Sequence, residues 1–304
     1  MIELDTLATE QPNATSQAID AVSTLEMVRI INAEDARVAA AVGAIAPAIA
    51  QAIDLITAHL QQGGRLFYIG SGTSGRLGIL DAVECPPTYS TEPDLVQGLI
   101  AGGYEAIFRA REGAEDLPQN GEADLKAHDI APTDVVVGLS ASGRTPYVLG
   151  ALAYAQSVGA ATIAIDCSPQ AAIAQYAQID LCALVGPEVI TGSTRMKAGT
   201  AQKMILNMLS TGTMVKLGKV YGNLMVDVKA SNKKLEERAR RIVMTATGCS
   251  RDTAMQALQQ CQGQAKTAIV MIQRGLAASD AAAALQHADG YLRLALHPAD
   301  KETD

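Results

Sequence analysis

The sequence predicts an α/β protein: a doubly wound, parallel five-stranded sheet flanked by helices, followed by a small all-helical C-terminal appendage. Three observations predict it. Short apolar runs of strand type, at residues 65–70, 95–101, 134–139, 161–166 and 180–185, alternate with stretches of helical composition, and such alternation builds parallel sheets with right-handed crossovers. From about residue 231 the composition is helical throughout, in short amphipathic pieces. One junction also occurs twice: an apolar strand runs into a hydroxyl-rich turn that contains Ser-Gly-Arg and opens a helix.

The elements follow in order. Residues 1–33 form a polar arm that becomes helical near Ser23-Thr24-Leu25-Glu26, and a long Ala-rich helix is expected from about Glu34 to Gln62, ended by Gly63-Gly64. The first junction is Arg65-Leu66-Phe67-Tyr68-Ile69-Gly70 followed by Ser71-Gly72-Thr73-Ser74-Gly75-Arg76. The second is Asp134-Val135-Val136-Val137-Gly138-Leu139 followed by Ser140-Ala141-Ser142-Gly143-Arg144-Thr145. A loop over residues 186–194 precedes a helix reaching about Leu217, whose face of Met204, Ile205, Met208, Leu209 and Val215 reads as core or dimer packing. Thr247-Gly248-Cys249-Ser250 breaks the chain, and Ser250 is placed to cap a helix starting at Arg251. The expected division is a 1–33 arm, a 34–230 α/β domain and a 231–304 helical domain that is structural or oligomerising.

Composition narrows the function. The 304 residues are 48% apolar, enough for a buried core, and the net charge of −8 argues against nucleic acid or an anionic membrane as partner. An anionic ligand needs local positive charge, which Arg76, Arg144, Arg195, Lys197 and Lys203 supply. Met1-Ile2-Glu3-Leu4-Asp5 lacks the pattern of a signal peptide. The longest uncharged apolar stretch, Val38 to Ala50, contains Pro47 and is shorter than the ~20 residues of a spanning helix. Five cysteines without CxxC spacing read as thiols of a reducing cytoplasm, and the four histidines show no ligand spacing, so a protein-held metal is not expected.

A helix N-terminus offers unpaired N–H groups and partial positive charge, and small hydroxyl side chains add donors, so each junction is a phosphate cradle. Gly70-Ser71-Gly72-Thr73-Ser74-Gly75 also fits G-x-G-x-x-G, but the next strand ends Leu99-Ile100-Ala101-Gly102-Gly103, without the acid a dinucleotide ribose requires. One such turn alone is equally a plain strand-to-helix connector. The matched pair favours one phosphorylated ligand held from both sides.

Both turns resemble the phosphosugar-binding loops of the sugar isomerase domain family. Within it, residues 76–88 (Arg76-Leu77-Gly78 through Glu84-Cys85-Pro86-Pro87-Thr88), 112–116 (Glu112 to Asp116), 191–203 (Thr191-Gly192-Ser193-Thr194-Arg195-Met196-Lys197 through Gln202-Lys203) and 223–228 (Asn223-Leu224-Met225-Val226-Asp227-Val228) resemble the N-acetylmuramic acid 6-phosphate etherases. The likeness also takes in Asn13, Ser23-Thr24 and Thr247-Gly248-Cys249.

That resemblance implies that Thr73, Ser74, Ser140, Ser142 and Thr145 bind the sugar phosphate, that Glu84 is the acid/base residue and that Glu115 is a second functional carboxylate, selected from Glu112, Glu115 and Asp116 by the match alone. Pro86-Pro87 is expected to stop the helix beside Glu84 and fix the direction of its carboxylate. Glu188 and Lys234 are further candidate substrate contacts. The implied reaction removes D-lactate from the sugar 6-phosphate by elimination and hydration, without a cofactor, in bacterial cell-wall amino sugar recycling. A phosphosugar isomerase and a non-catalytic phosphosugar-sensing regulator are the alternatives. A straight helix from Ser74 to Glu84, at 1.5 Å per residue, puts that carboxylate roughly 15 Å from its own turn, so either the helix bends or ends early or Glu84 serves a partner's pocket, and a homodimer with shared active sites is the expectation.

Overall fold

A computed structural model describes residues 8–111, 113–227 and 233–298. Met1-Ile2-Glu3-Leu4-Asp5, Glu112, Val228 and the expected boundary between residues 230 and 231 lie outside the described residues. The chain divides into two compact units, Met1–Val83 with Asp94–Thr211, and Glu84–Pro93 with Gly212–Asp304. This differs from the expected division in two ways. The arm belongs to the first unit, and a ten-residue stretch from the middle of the chain belongs to the helical one.

The first unit holds five parallel strands, β1 (Leu66–Gly70), β2 (Val96–Ile100), β3 (Val135–Leu139), β4 (Ala161–Asp166) and β5 (Ile179–Cys182), in the order β2-β1-β3-β4-β5. β1, β3 and β4 are buried along their whole length, as a sheet covered on both faces requires, which is why they read as unbroken apolar runs. Their registers are pinned where the runs begin. The Asp134 carboxylate accepts from the Arg65 backbone N–H at 2.8 Å and from its guanidinium at 2.7 Å, clamping the starts of β1 and β3 together. On the sheet, Phe67, Ile69 and Val136 pack with Tyr147, Val148 and Leu152 of α7 (Pro146–Ser157).

Two expectations about helices need correction. The single helix over 34–62 is three pieces: α1 (Thr24–Asp35), α2 (Val38–Ala44) and α3 (Ala46–Gln61), with a 60° bend before α3. Pro47 has no N–H for the carbonyl of Gly43 and its ring crowds that turn, so the chain restarts with proline in the first turn of α3, where it is tolerated. Ser23 caps α1 by accepting from Glu26 N, in line with the expected start. The second correction concerns α4 (Gly72–Tyr89), which does not stop at Pro86-Pro87 but carries both inside it. They fall in its last turn, which closes through Ser90 N donating to Pro86 O at 3.0 Å.

On α8 (Lys197–Lys216) Ile205 and Leu209 are buried as core, whereas Met208 and Val215 are exposed on the chain.

Further short helices of the first unit are α5 (Glu105–Phe108) and α6 (Pro118–Ala127). The second unit contains α9 (Lys233–Thr247), α10 (Arg251–Gln260), α11 (Ala265–Arg274), α12 (Ala278–His287) and α13 (Leu292–Leu296), packed around Val243, Ala254, Ala268, Ile269 and Leu292. Ser250 caps α10 as expected, accepting from Thr253 N at 3.2 Å. Among the described residues no single helix is long and apolar enough to cross a membrane.

Candidate functional site

In the strand order β2-β1-β3-β4-β5 the connections diverge between β1 and β3, and ligands of such sheets sit outside the carboxyl ends of the strands at that switch point. Gly70 and Leu139, the last residues of β1 and β3, are register partners. Neighbouring strands lie about 4.8 Å apart, so the two hydroxyl-rich turns leave the sheet side by side at one level. The sequence pair is thus a spatial pair.

The first turn is built on close backbone approach. A Cβ on Gly70 would lie 2.8 Å from Gly75 N, and one on Gly75 would lie 2.7 Å from Gly70 O, so only glycine lets the first turn of α4 fold back onto the strand end. Thr73 and Ser74 lie in that first turn, Thr73 half-buried and Ser74 buried, with Ser74 Oγ donating to Gln202 Oε1 at 2.9 Å. In the second turn Gly143 takes φ +69 and Gly143 N closes onto Ser140 O at 3.0 Å. Ser140 and Thr145 share a hydrogen bond between hydroxyls at 2.8 Å, and Ser142 Oγ accepts from Arg144 N at 3.4 Å. Thr145 stands at the N-cap of α7.

Beside the first turn opens a cavity of about 340 Å³ lined by Ser71, Gly72, Arg76, Arg111, Glu115 and Asp116, among others. Glu115 is therefore brought to the first turn. Its backbone carbonyl also accepts from Tyr147 N at 3.0 Å, at the start of the helix that the second turn opens. The cavity thus ties Glu115 to the first turn and a main-chain bond ties its segment to the helix after the second, whereas Thr73, Ser74, Ser140, Ser142 and Thr145 are not among the residues lining the cavity. Arg76 builds the cavity wall, giving Nε to Ile107 O at 2.9 Å and Nη2 to Ala106 O at 2.8 Å. Arg111 holds Gly102 O at 3.0 Å.

Other candidates are placed elsewhere. Glu84 belongs to the second unit and is exposed, on a stretch of α4 where Leu80 and Val83 are 50% and 58% exposed, whereas the cavity lining named above is entirely of the first unit. Lys234 is exposed at the start of α9. Glu188 is buried, and its two carboxylate oxygens accept from Lys197 N and Ala198 N at 2.9 Å each, which caps α8. Burial pushes the Glu188 carboxyl up from the usual range, against the pull of those backbone donors.

Lys197, read from sequence as charge for an anionic ligand, is fully buried, with Nζ 2.5 Å from Glu34 Oε2. The exposed cations of that set are Arg144, Arg195 and Lys203. Glu34 also accepts from Asn13 Nδ2 at 2.9 Å, and the same Asn13 amide reaches Pro187 O at 3.0 Å. Burial acts to raise the Glu34 carboxyl, but the hydrogen bonds from Lys197 and Asn13 and the Lys197 charge hold it down at about 2. Arm, α1, the loop before α8 and α8 itself are joined by this network. Glu34 and Gln202 carried no motif role in the sequence reading; the one available signal for Gln202 was its membership of the 191–203 string.

Among the described residues no group of three or more His, Cys, Asp or Glu is placed to hold a metal ion.

A parallel five-stranded sheet with two hydroxyl-rich strand-to-helix turns at its switch point is the architecture of the sugar isomerase (SIS) domain, and the chain matches the SIS domain over residues 108–212 and the glucokinase regulatory protein N-terminal SIS domain over residues 17–156. A solved phosphoheptose isomerase from Francisella tularensis is similar at a TM-score of 0.49 and 15% identity, over 64% of this chain and 100% of that one. Proteins named N-acetylmuramic acid 6-phosphate etherase are far nearer in sequence: 57% identity for that of Pectobacterium atrosepticum, over 97% of this chain and 97% of the relative. The protein of that name from Aliivibrio fischeri is 56% identical over 97% of this chain and 98% of its own, and that of Aeromonas hydrophila 56% over 97% and 99%. The chain belongs to the N-acetylmuramic acid 6-phosphate etherase family.

Proposed function

We infer that this protein is a carbon–oxygen lyase that cleaves the D-lactyl ether of N-acetylmuramic acid 6-phosphate, giving N-acetylglucosamine 6-phosphate and D-lactate in bacterial cell-wall amino sugar recycling. The observation that carries the reading is the 57% identity to a relative of that name over 97% of both chains. The meeting of Glu115 with the paired turns supports it. Thr73, Ser74, Ser140, Ser142 and Thr145 hold the phosphate through hydroxyls and helix N-terminal amides, which leaves the sugar ring to extend toward the Glu115 cavity.

The chemistry follows from the open-chain sugar. The C1 aldehyde acidifies the C2 hydrogen, and the C3 ether lies β to that carbonyl. A carboxylate takes the C2 proton, the electron pair forms the C2–C3 double bond, and the C3–O bond breaks as an acid protonates the departing lactate oxygen. Water then adds its hydroxyl to C3 and a proton returns to C2. Glu84 is the acid/base residue and Glu115 its partner. Pure protein incubated with the muramic acid substrate is expected to release D-lactate. An isomerised sugar phosphate without lactate would identify an isomerase instead, and tight binding without turnover a sensor.

Ser142→Ala is expected to act on binding. Its hydroxyl serves the phosphate, remote from C2 and C3, and one hydrogen bond to a charged group contributes about 1.5–3 kcal/mol, so KM rises about 10- to 100-fold with kcat little changed. Steady-state kinetics check this, and a fall in kcat alone would move Ser142 to the reacting end.

The active enzyme is a cytoplasmic homodimer with shared sites. Leu80, Val83, Glu84 and Pro87 share one helix face by their spacing, and a second copy laid against it covers exposed apolar side chains while carrying Glu84 to the partner's cavity. Five free cysteines fit a reducing compartment. Mixing Glu84→Gln subunits with Ser140→Ala/Ser142→Ala subunits is expected to restore lactate release at one site per heterodimer. No recovery after proven subunit exchange would show that each chain works alone.

A further inference from the structure

The first turn contains two mismatches that share one cause. Ser74 Oγ and Gln202 Oε1 are 2.9 Å apart, with the residues 8% and 1% exposed. In that arrangement the single hydroxyl proton of Ser74 points at an amide oxygen, so it has none to offer a phosphate oxygen, which only accepts. At the other end of the same amide, Gln202 Nε2 is buried without a hydrogen-bond partner among the described residues. Orphaned buried N–H groups are rarer than under-satisfied carbonyl oxygens, because a carbonyl tolerates an empty lone pair better than an amide tolerates unpaired protons.

One rotation frees the Ser74 proton and leaves a carbonyl rather than an amide N–H unpaired. The two ends of a side-chain amide have the same shape, and turning it by 180° puts Nε2 where it donates into Ser74 Oγ. The Ser74 proton is then free, and the carbonyl takes the donor-poor position. We propose that Gln202 is a positioning residue that directs the Ser74 hydroxyl proton toward a bound phosphate by donating Nε2 to Ser74 Oγ. The inference rests on the reading of Ser74 as a phosphate contact. Gln202 is itself set in place by α8, whose first turn is fixed by Glu188 and whose first residue, Lys197, is tied to Glu34.

The test is a binding cycle with N-acetylglucosamine 6-phosphate as probe, read by calorimetry, with unphosphorylated N-acetylglucosamine as control and the melting midpoint of each variant recorded. Ser74→Ala is expected to weaken binding about 10- to 100-fold. Gln202→Met and Gln202→Leu, neither of which donates to Ser74 Oγ, leave its proton undirected and weaken binding by a smaller factor. Neither Gln202 change has a further effect on affinity in the Ser74→Ala background, and kcat at saturating substrate stays near wild type. Equal losses with and without Ser74 would show that Gln202 acts through packing and would overturn the proposal. So would unchanged affinity in both Gln202 variants while Ser74→Ala weakens binding. If Ser74→Ala itself binds normally, the assignment of Ser74 to the phosphate fails first, and the role of Gln202 with it.

Discussion

Glu84→Gln is expected to abolish most lactate release while leaving the fold and phosphate binding intact. Glutamine keeps the size and hydrogen-bonding reach of glutamate but exchanges no proton at working pH, and a lost general acid/base costs ~10²–10⁴ in rate. Glu84 is exposed on α4, so the substitution removes no buried partner and the melting midpoint should move little. The discriminating measurement is kcat beside the dissociation constant for N-acetylglucosamine 6-phosphate. A fall in kcat with unchanged affinity assigns Glu84 to the chemistry. Near wild-type turnover would remove it from the mechanism and leave Glu115 as the carboxylate to examine.

Lys197→Met should give the largest loss of stability. Its ammonium is fully buried against Glu34, and removing one partner of a buried ion pair costs about 3–5 kcal/mol because the other charge stays behind. Asn13 and Thr15 still reach Glu34, at 2.9 and 3.2 Å, which places the expected loss near the lower end. The pH dependence checks the assignment independently. The Glu34 carboxyl is held at about 2 in the folded chain, below its ordinary 4.5, so its contribution is complete above about pH 5 and is lost as pH falls toward 2. Denaturant unfolding of the wild type across that window should show stability falling by ~3 kcal/mol from this group, and the slope should be shallower in Lys197→Met. Equal slopes would place the acid sensitivity elsewhere.

The centre of the sheet was legible because β1, β3 and β4 are buried on both faces and so read as apolar runs. β5 was the exception in length: it stops at Cys182, although the apolar run continues to Val185. Pro86-Pro87 misled for a definable reason. Proline removes a donor and crowds the preceding turn, which ends a helix when more turns must follow, but α4 has only its final residues left beyond Pro87. The burial of Lys197 and Glu188 was not legible. A lysine and a glutamate in polar loop sequence are ordinarily solvated, but Lys197 meets Glu34 and the carbonyl beside Glu188, that of Pro187, meets Asn13, partners more than 150 positions away that no local pattern connects. The two turns were readable as chemistry because backbone and hydroxyl donors are local, whereas the direction of the Ser74 proton depends on Gln202, 128 residues downstream.

The stretch Glu84–Pro93 belongs with Gly212–Asp304, and Ser90 Oγ donates to the carbonyl of Asp227 there. On a ribosome, this stretch leaves the exit tunnel long before the residues it packs with have been synthesised. The sheet unit, supplied by residues on both sides of the stretch, has every strand available once residue 182 has emerged, but the end of α4 must wait for the C-terminal helices. A chain truncated near residue 230 therefore does not shed a separable module. It strands the segment bearing Glu84, which makes late synthesis of the C-terminal helices a checkpoint on the assembly of a complete enzyme.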